Sequence, residues 1–227
     1  MKKIVSVLLL SASVLACQAQ DSEVRAVGSF TGVKSSEAID VYLKKGEREN
    51  VKVEVSGVKL LDVLTEISGS YLKIHMRQGN NRNRGTVKVH VTYVSLNKIS
   101  ASSASNVFSE GIIKSNQMEI SVSSAAQVEL QIDSEDLLVD ASSAGDVVLE
   151  GKSRKLEVEC SSAGDVDAYK LESEIVDASA SSGASIKINV TKELDAQASS
   201  GGTIRYRGNP VKTNSDSSSG GSVKKSN

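Results

Sequence analysis

The fold of this chain is indicated by a short phrase that recurs along its second half. The segment Ser142-Ser143-Ala144-Gly145-Asp146-Val147 returns nineteen residues later as Ser161-Ser162-Ala163-Gly164-Asp165-Val166. Related phrases, each a serine pair followed by two small residues, a variable residue and Val or Ile, begin at residues 102, 123, 181, 199 and 218. Seven copies spaced by 18 to 21 residues predict a solenoid, in which each repeat stacks on the one before it.

The residues between the phrases alternate between apolar or small side chains and polar ones. Leu156, Val158 and Cys160 precede one phrase in this way, and Val147 and Leu149 follow another. A period of two is typical of strands with one buried face, and helical periodicity is scarce in these repeats. The predicted fold class is all-β: a right-handed parallel β-helix with about 20 residues and two or three short strands per coil. Successive coils are expected roughly 4.8 Å apart.

The serine pairs are interpreted as the corners of the coils. At a corner, equivalent residues lie one above another, so small side chains fit and glycine tolerates a positive φ. Stacked hydroxyls can bond to one another and to main-chain groups that leave the ladder at the bend. None of these serines has a His or Lys at a spacing typical of a catalytic base, so the pattern favours a structural role.

The N-terminus predicts export. Two lysines precede a short apolar run, which is typical of a secretory signal peptide and too short for a permanent membrane helix. Two processing sites remain open. Val14-Leu15-Ala16-Cys17 resembles a bacterial lipobox, which would make 1–16 the signal peptide and Cys17 the lipidated first residue. Cleavage after Ala19 would instead make 1–19 the signal peptide. The expected location is the periplasm, the outer membrane or the extracellular space.

Residues 20–100 are expected to form a less regular portion of the same β-helix, and 101–227 the regular repeats with a polar C-terminal cap. Ser35-Ser36-Glu37-Ala38-Ile39-Asp40-Val41 looks like a degenerate early copy of the phrase. In 58–68, apolar residues at helical spacing predict one short amphipathic helix that covers an open edge. In the last repeat, Ser215 and Ser217 stand at inward positions that are apolar elsewhere.

A polar, basic loop at 78–85 carries the one candidate contact for a ligand. It is either a solvated hairpin tip or, through Arg82 and Arg84, a contact for an acidic glycan or a partner.

Composition excludes several function classes. The 27 basic and 28 acidic residues give a net charge of −1, which argues against a nucleic-acid binder. Two cysteines rule out a disulfide-rich scaffold and a cysteine-based zinc site, and two histidines leave little room for histidine-dependent catalysis. Two Phe and five Tyr are too few for a broad stacking platform. After export, Cys160 is expected to be a buried apolar residue without a disulfide partner.

Asp146 and Asp165 occupy equivalent places in consecutive repeats, so stacking would bring the two carboxylates roughly 5 Å apart. Such a pair must splay into water or share a cation, and calcium would suit the oxygen ligands. The neighbouring coils offer only Gln127 and Ser185 at this place. Whether the pair binds a cation stays open, and neither a metal site nor a cofactor is assigned.

Some longer motifs resemble a known family. They are Gly201-Gly202-Thr203-Ile204-Arg205-Tyr206-Arg207-Gly208-Asn209-Pro210, the serine phrase at 217–223, the Ser-Ser-Ala-Gly-Asp-Val units and Phe30-Thr31-Gly32-Val33 with Asp40-Val41-Tyr42-Leu43. Together they are similar to the bacterial auto-transporter adhesin head (head GIN) domain family, formerly a domain of unknown function. The resemblance implies an exported or lipid-anchored β-helical domain with an adhesive role, and it supplies no catalytic residues.

Three functions follow as hypotheses. The first is a non-catalytic surface or envelope module that binds a surface glycan or protein and attaches to the membrane through a lipidated Cys17. The second is a structural envelope scaffold without a tight ligand. The third, least favoured, is a polysaccharide-active enzyme, since parallel β-helices also host such enzymes, but no groove with a carboxylate cluster is evident. The oligomeric state is not indicated by the sequence.

Overall fold

The computed structural model describes residues 21–77 and 85–226, which form a β-solenoid of about 7 turns with about 19 residues per turn. Sixteen strands belong to one hydrogen-bonded sheet. The strands are β1 Asp21–Arg25, β2 Gly32–Ser35, β3 Asp40–Lys45, β4 Asn50–Ser56, β5 Val63–Ser68, β6 Tyr71–Met76, β7 Thr86–Tyr93, β8 Lys98–Ala101, β9 Asn106–Val122, β10 Gln127–Ala141, β11 Asp146–Cys160, β12 Asp165–Ala180, β13 Ser185–Ala198, β14 Thr203–Arg207, β15 Lys212–Ser217 and β16 Ser222–Lys225.

The regular repeats stack in parallel and in the register of the serine phrase. Asp146 in β11 lies opposite Gln127 in β10 on one side and Asp165 in β12 on the other. Equivalent residues therefore form columns along the solenoid, and the predicted stacked-coil fold is confirmed. One detail differs: from β9 to β13 each coil contains one strand of 14 to 17 residues rather than two or three short ones, because the ladder continues through the bends.

Each long strand has two arms that enclose the core. In β10 the buried positions are even-numbered up to Ser134 and odd-numbered from Leu137 onward, so the chain bends between them. We call this bend the far corner, the residues before it the first arm and those after it the second arm. The core columns follow from the alternation: Val107, Val128, Val147, Val166, Ile186 and Ile204 on the first arm, and Met118, Leu137, Leu156, Val176 and Leu194 on the second.

Beside the serine corner the core column narrows to small residues, and Cys160 lies in it between Ala141 and Ala180. Its side chain is buried, as the sequence predicts, and burial raises the pKa of the thiol to about 11. The thiol therefore stays protonated and serves as a small apolar side chain.

Each serine corner is a tight turn with two left-handed residues. In the turn Ser142–Gly145 the φ angles of Ser143 and Ala144 are 50° and 59°, and the Gly145 amide donates to the Ser142 carbonyl oxygen at 2.9 Å. The Ala144 amide donates to the carbonyl oxygen of Ser162 in the next coil at 3.1 Å, and the other corners repeat this bond. The main chain therefore builds the ladder at these corners, where the sequence suggested stacked hydroxyls.

The degenerate early phrase occupies the predicted place. Ser35 of β2 lies opposite Ala101 of β8, and Asp40 of β3 lies opposite Asn106 of β9. Glu37 and Ala38 take positive φ angles of 66° and 57°, as the residues of the later corners do. The segment before the regular repeats thus pairs with them as another coil.

The predicted amphipathic helix at 58–68 is wrong. Leu60–Asp62 forms a single 3-10 turn, and β5 then pairs antiparallel with β6 through a tight turn at Gly69, whose φ is +61°. Val63, Thr65 and Ile67 are β-branched and alternate, so the segment also carries strand periodicity. In the hairpin, six residues of β5 pair with β6. An isolated helix of this length would lack such a partner and would be only marginally stable.

The strands that flank the polar loop at 78–85 do not form a hairpin with each other. β6 pairs with β2 and β5, whereas β7 pairs with β3 and β4. The loop thus connects two different positions in the coil, and the hairpin-tip interpretation is wrong. Arg82 and Arg84 lie outside the described residues, as does Cys17.

Polar residues occupy inward positions at both ends of the solenoid, and at the N-terminal end they are charged. At the N-terminal end, β1 pairs antiparallel with β4, and its inward side carries Glu23 and Arg25. At the C-terminal end every residue of β15 is exposed, and Ser215 and Ser217 lie opposite Ala196 and Ala198. Polar residues at inward positions of edge strands disfavour pairing with a further strand. Across 21–77 and 85–226, we find no helix that is both long and apolar enough to cross a bilayer.

Candidate functional site on the outer face

The far corner is lined by columns in which opposite charges alternate. Asp133 lies between Lys114 and Lys152, with oxygen-to-nitrogen distances of 3.6 and 3.8 Å, and Arg154 lies 3.1 Å from Glu135. Alternation lets each coil neutralise the next, so these charges support stacking and offer little net charge to a ligand. The candidate sites are the places on the outer face where this alternation fails.

One such place is a shallow groove of about 620 Å³ on the second arm. It crosses four strands, β8 to β11, and Leu138 lies at its centre with 40% of its surface exposed. Leu138 is flanked in its column by Glu119 and Glu157, one on each neighbouring coil. The alternation of β10 turns this leucine outward, in a column that is otherwise charged or polar.

The rim of the groove consists of ion pairs. Lys98 lies 2.9 Å from Glu119, and Lys155 lies 3.5 Å from Glu157. Asp136 pairs with Arg154 at 2.5 Å. The carboxylates that line the groove are thus already matched by cations, and neither a histidine nor a cysteine is among the lining residues. An apolar centre within a rim of donors and acceptors suits the binding of an elongated polar molecule better than bond cleavage.

Beyond the groove the same column becomes acidic. Glu157, Asp177 and Asp195 are in register on consecutive coils, and the pKa of Asp177 is raised by burial first and then by the two neighbouring carboxylates. Asn214 donates to Asp195 at 3.0 Å on the last coil.

On the first arm, Asp146 and Asp165 do stack as the sequence predicts. Burial, followed by the charge of Asp165, raises the pKa of Asp146. Lys187 lies 3.7 Å from Asp165 and 3.2 Å from Asp167, so a lysine of the next coil neutralises this acidic patch. Throughout the described ranges, no three or more His, Cys, Asp or Glu side chains are grouped so that they could hold a metal ion.

A row of three aromatic rings on the first arm was missed by the sequence reasoning. Tyr42 stacks between His90 and Phe108, with ring centroids 5.1 and 5.4 Å apart. His90 lies 3.6 Å from Glu54 and 3.9 Å from Glu110. Both faces of the Tyr42 ring are covered by its neighbours, so the row stabilises the stacking of β7, β3 and β9. Tyr42 and Phe108 each stand two residues after Asp40 and Asn106 of their phrases, and this equal spacing is the signal that could have found them.

Solved structures with the same fold come from Bacteroides and Parabacteroides species. A putative adhesin from Bacteroides fragilis superposes with a TM-score of 0.81 at 20% identity, covering 92% of this chain and 97% of that one. A putative adhesin from Parabacteroides merdae gives 0.74 at 18% identity, with 92% and 96% covered. A protein from Parabacteroides distasonis described as a putative lipid binding protein gives 0.66 at 18% identity, with 92% and 97% covered.

Among proteins of curated function, none matches the chain. The family model described as "Putative auto-transporter adhesin, head GIN domain" matches residues 29–210, which span the early coil and nearly all the regular repeats. The resemblance seen in the sequence is therefore confirmed, and the chain belongs to the family of auto-transporter adhesin head GIN domains.

Proposed function

We propose that the protein is an exported, non-catalytic binding module of the cell envelope, which holds a surface glycan or protein in the groove around Leu138. The observation that carries the proposal is the exposed Leu138 at the centre of a rim of ion pairs. Membership of an adhesin family supports a surface role. A rigid stack presents this groove without paying for loop ordering on binding.

The proposal includes export and attachment through the N-terminus. The predicted signal peptide supports export, and the lipobox-like stretch supports lipidation of Cys17. Fractionation of cells that produce the full chain tests this part. The wild type is expected in the membrane fraction, and Cys17→Ala is expected to release it into the periplasm or the medium. Release of the wild type and of Cys17→Ala alike would contradict lipid anchoring without affecting the binding proposal.

The binding part is tested with glycan arrays and with whole cells as the probes. Leu138→Arg places a long cation at the centre of the groove and is expected to abolish capture of whichever array component or cell the wild type retains. Val211→Arg is the matched control, because Val211 is a 92% exposed apolar residue that does not line the groove. Equal capture by the two variants would contradict the groove as the binding site, and no capture by the wild type would favour the scaffold hypothesis instead.

Turnover is tested on the same polysaccharides. The proposal expects none, because each carboxylate that lines the groove is held in an ion pair and no histidine, serine or cysteine is among the lining residues. Release of oligosaccharides that Glu119→Gln abolishes would overturn the non-catalytic part and support the enzyme hypothesis.

A further inference from the structure

A second surface where the charges do not alternate lies on the first arms of the last coils, near the C-terminal end of the solenoid. Its unmatched charges are positive. Lys187 of β13, Arg205 of β14 and Lys224 of β16 lie in one column on consecutive coils. Three cations at roughly 4.8 Å spacing repel one another, so the arrangement is unfavourable unless anions lie between them.

Among the residues that the structure describes, carboxylates pair with the first of these cations and not with the other two. Lys187 pairs with Asp165 and Asp167, and Asp167 lies opposite Lys187 in β12, so it ends the cationic column on that side. Arg205 and Lys224 are exposed, and in the part of the chain that the structure describes no carboxylate pairs with either of them. The free charge thus begins at Arg205 and extends toward the C-terminal end.

A third free cation is held in place beside them. Arg207 lies two residues after Arg205 on the same strand, and its guanidinium carbon lies 4.1 Å from the centre of the Tyr169 ring. The Tyr169 hydroxyl is fixed in turn by Ser226 at 2.8 Å. A cation–π contact orients the guanidinium but leaves its hydrogen-bond donors available.

A column of hydroxyls runs parallel to the column of cations. Ser185, Thr203 and Ser222 each stand two residues before Lys187, Arg205 and Lys224, so they face outward on the same strands. The surface therefore repeats a hydroxyl and a cation once per coil. A ligand that matches it carries hydroxyls and acid groups at a similar repeat along one direction.

The geometry points to a polyanion-binding surface, formed by Arg205, Arg207, Lys224 and the adjacent hydroxyl column, that takes a linear acidic polysaccharide along the solenoid axis. The carboxylates on successive sugar units would pair with the cation column, and the ring hydroxyls would hydrogen-bond to Thr203 and Ser222. An anionic membrane also offers charges and hydroxyls, but its lipids diffuse in the plane of the bilayer and are not joined in a linear repeat. The site is separate from the groove around Leu138, and its test does not depend on that groove.

The test measures binding of the full chain to polygalacturonate at low ionic strength, with dextran as the uncharged probe and phosphatidylglycerol vesicles as the membrane probe. Wild type is expected to bind polygalacturonate only, and binding is expected to weaken as salt is added. The double variant Arg205→Gln/Lys224→Gln is expected to bind about fivefold to tenfold more weakly, since two exposed charge contacts are lost.

The matched control is Lys114→Gln/Lys152→Gln, which removes the same formal charge at the far corner. It is expected to bind like the wild type, and thermal unfolding of both variants checks that they are folded. Equal weakening by the two double variants would show a dependence on net charge alone and overturn the assignment, as would tighter binding to the vesicles or no binding to polygalacturonate. Arg205→Gln/Lys224→Gln is expected to keep the capture of uncharged glycans or cells that Leu138→Arg abolishes, which separates this result from the fate of the groove.

Discussion

Ser153 Oγ and Ser173 Oγ lie 3.1 Å apart on neighbouring coils, and both side chains are buried at the end of the first arm. They stand in register in β11 and β12, just before the far corner. The same column continues with Ser134 on one side and with the apolar Val190 on the other. Buried hydroxyls are tolerated there because each satisfies the other.

Removing one hydroxyl of this pair should cost more than removing both. Ser153→Ala is expected to lower the free energy of unfolding by about 1 kcal/mol, because the Ser173 hydroxyl would stay buried without a partner. Ser153→Ala/Ser173→Ala is expected to recover most of this loss. A double-mutant cycle by urea denaturation measures the difference. Strict additivity of the two single changes would contradict the pairing.

The charge columns make opposite predictions for two aspartates. Burial and the neighbouring Asp165 raise the pKa of Asp146, so its ionisation opposes folding. Stability contributed by this group is present below its ordinary pKa and is lost as the pH rises through the higher folded value. Asp146→Asn is expected to raise the free energy of unfolding by about 0.5 kcal/mol at pH 7, a gain that vanishes in acid.

Asp133 is the matched control for Asp146. It lies between Lys114 and Lys152, so Asp133→Asn leaves two lysines facing each other. This variant is expected to lose a few tenths of a kcal/mol at pH 7. Thermal unfolding of both variants across pH 3 to 8 compares them, and a change of the same sign in both would contradict the account of the columns.

Two glycines with positive φ should differ in what they tolerate. Gly151 has a φ of +117°, and a β-carbon there would overlap the carbonyl oxygen of Ile132. Gly183 has a φ of +74°, nothing within 4 Å of the added carbon, and alanine at the same place in other corners, such as Ala163. Gly151→Ala is expected to cost about 2 kcal/mol or more, and Gly183→Ala less than about 1 kcal/mol. Chemical denaturation measures both, and the reverse order would be inconsistent with the structure.

Arg25 connects two edge elements at the N-terminal end. Its guanidinium donates to the carbonyl oxygens of Leu60 at 2.9 Å and Val63 at 2.7 Å. Arg25→Ala is expected to lower the free energy of unfolding by about 2 kcal/mol and to raise hydrogen exchange in β1 and β5. Arg25→Lys is expected to restore only part of this, since one ammonium cannot reproduce the planar pair of donors. Unchanged exchange in β5 would show that the contact contributes little.

The sequence predicts the coil spacing and the core columns because every regular coil repeats the same phrase. Aligning the phrases therefore gives the strand register between neighbouring coils. The helix at 58–68 was mispredicted for the opposite reason. This segment has no copy to compare, and Leu60 and Leu64 produce a helical spacing that coincides with the β-branched alternation of its strand. Its partner β6 is reached through a tight turn that only the structure reveals.

The candidate sites were harder to predict than the fold. The stacking of Asp146 on Asp165 follows from the repeat, but Lys187 is a diagonal neighbour of Asp165, and its role depends on side-chain geometry. Leu138 reads as one more apolar residue beside Leu137 until the strand phase is known, and the groove around it collects residues from four strands. Tyr42 and His90 are brought together by the pairing of β3 with β7, which the phrase does not fix.

Alignment of the corners along one axis is the central claim, and distances between spin labels test it most directly. With Cys17→Ala as the background and Cys160 buried, Ser103→Cys is paired in turn with Ser182→Cys, Ser200→Cys and Ser219→Cys, all at exposed corner positions. The account predicts Cα separations of roughly 19, 24 and 29 Å, which is one strand spacing more for each repeat. Separations that do not increase in equal steps would contradict it.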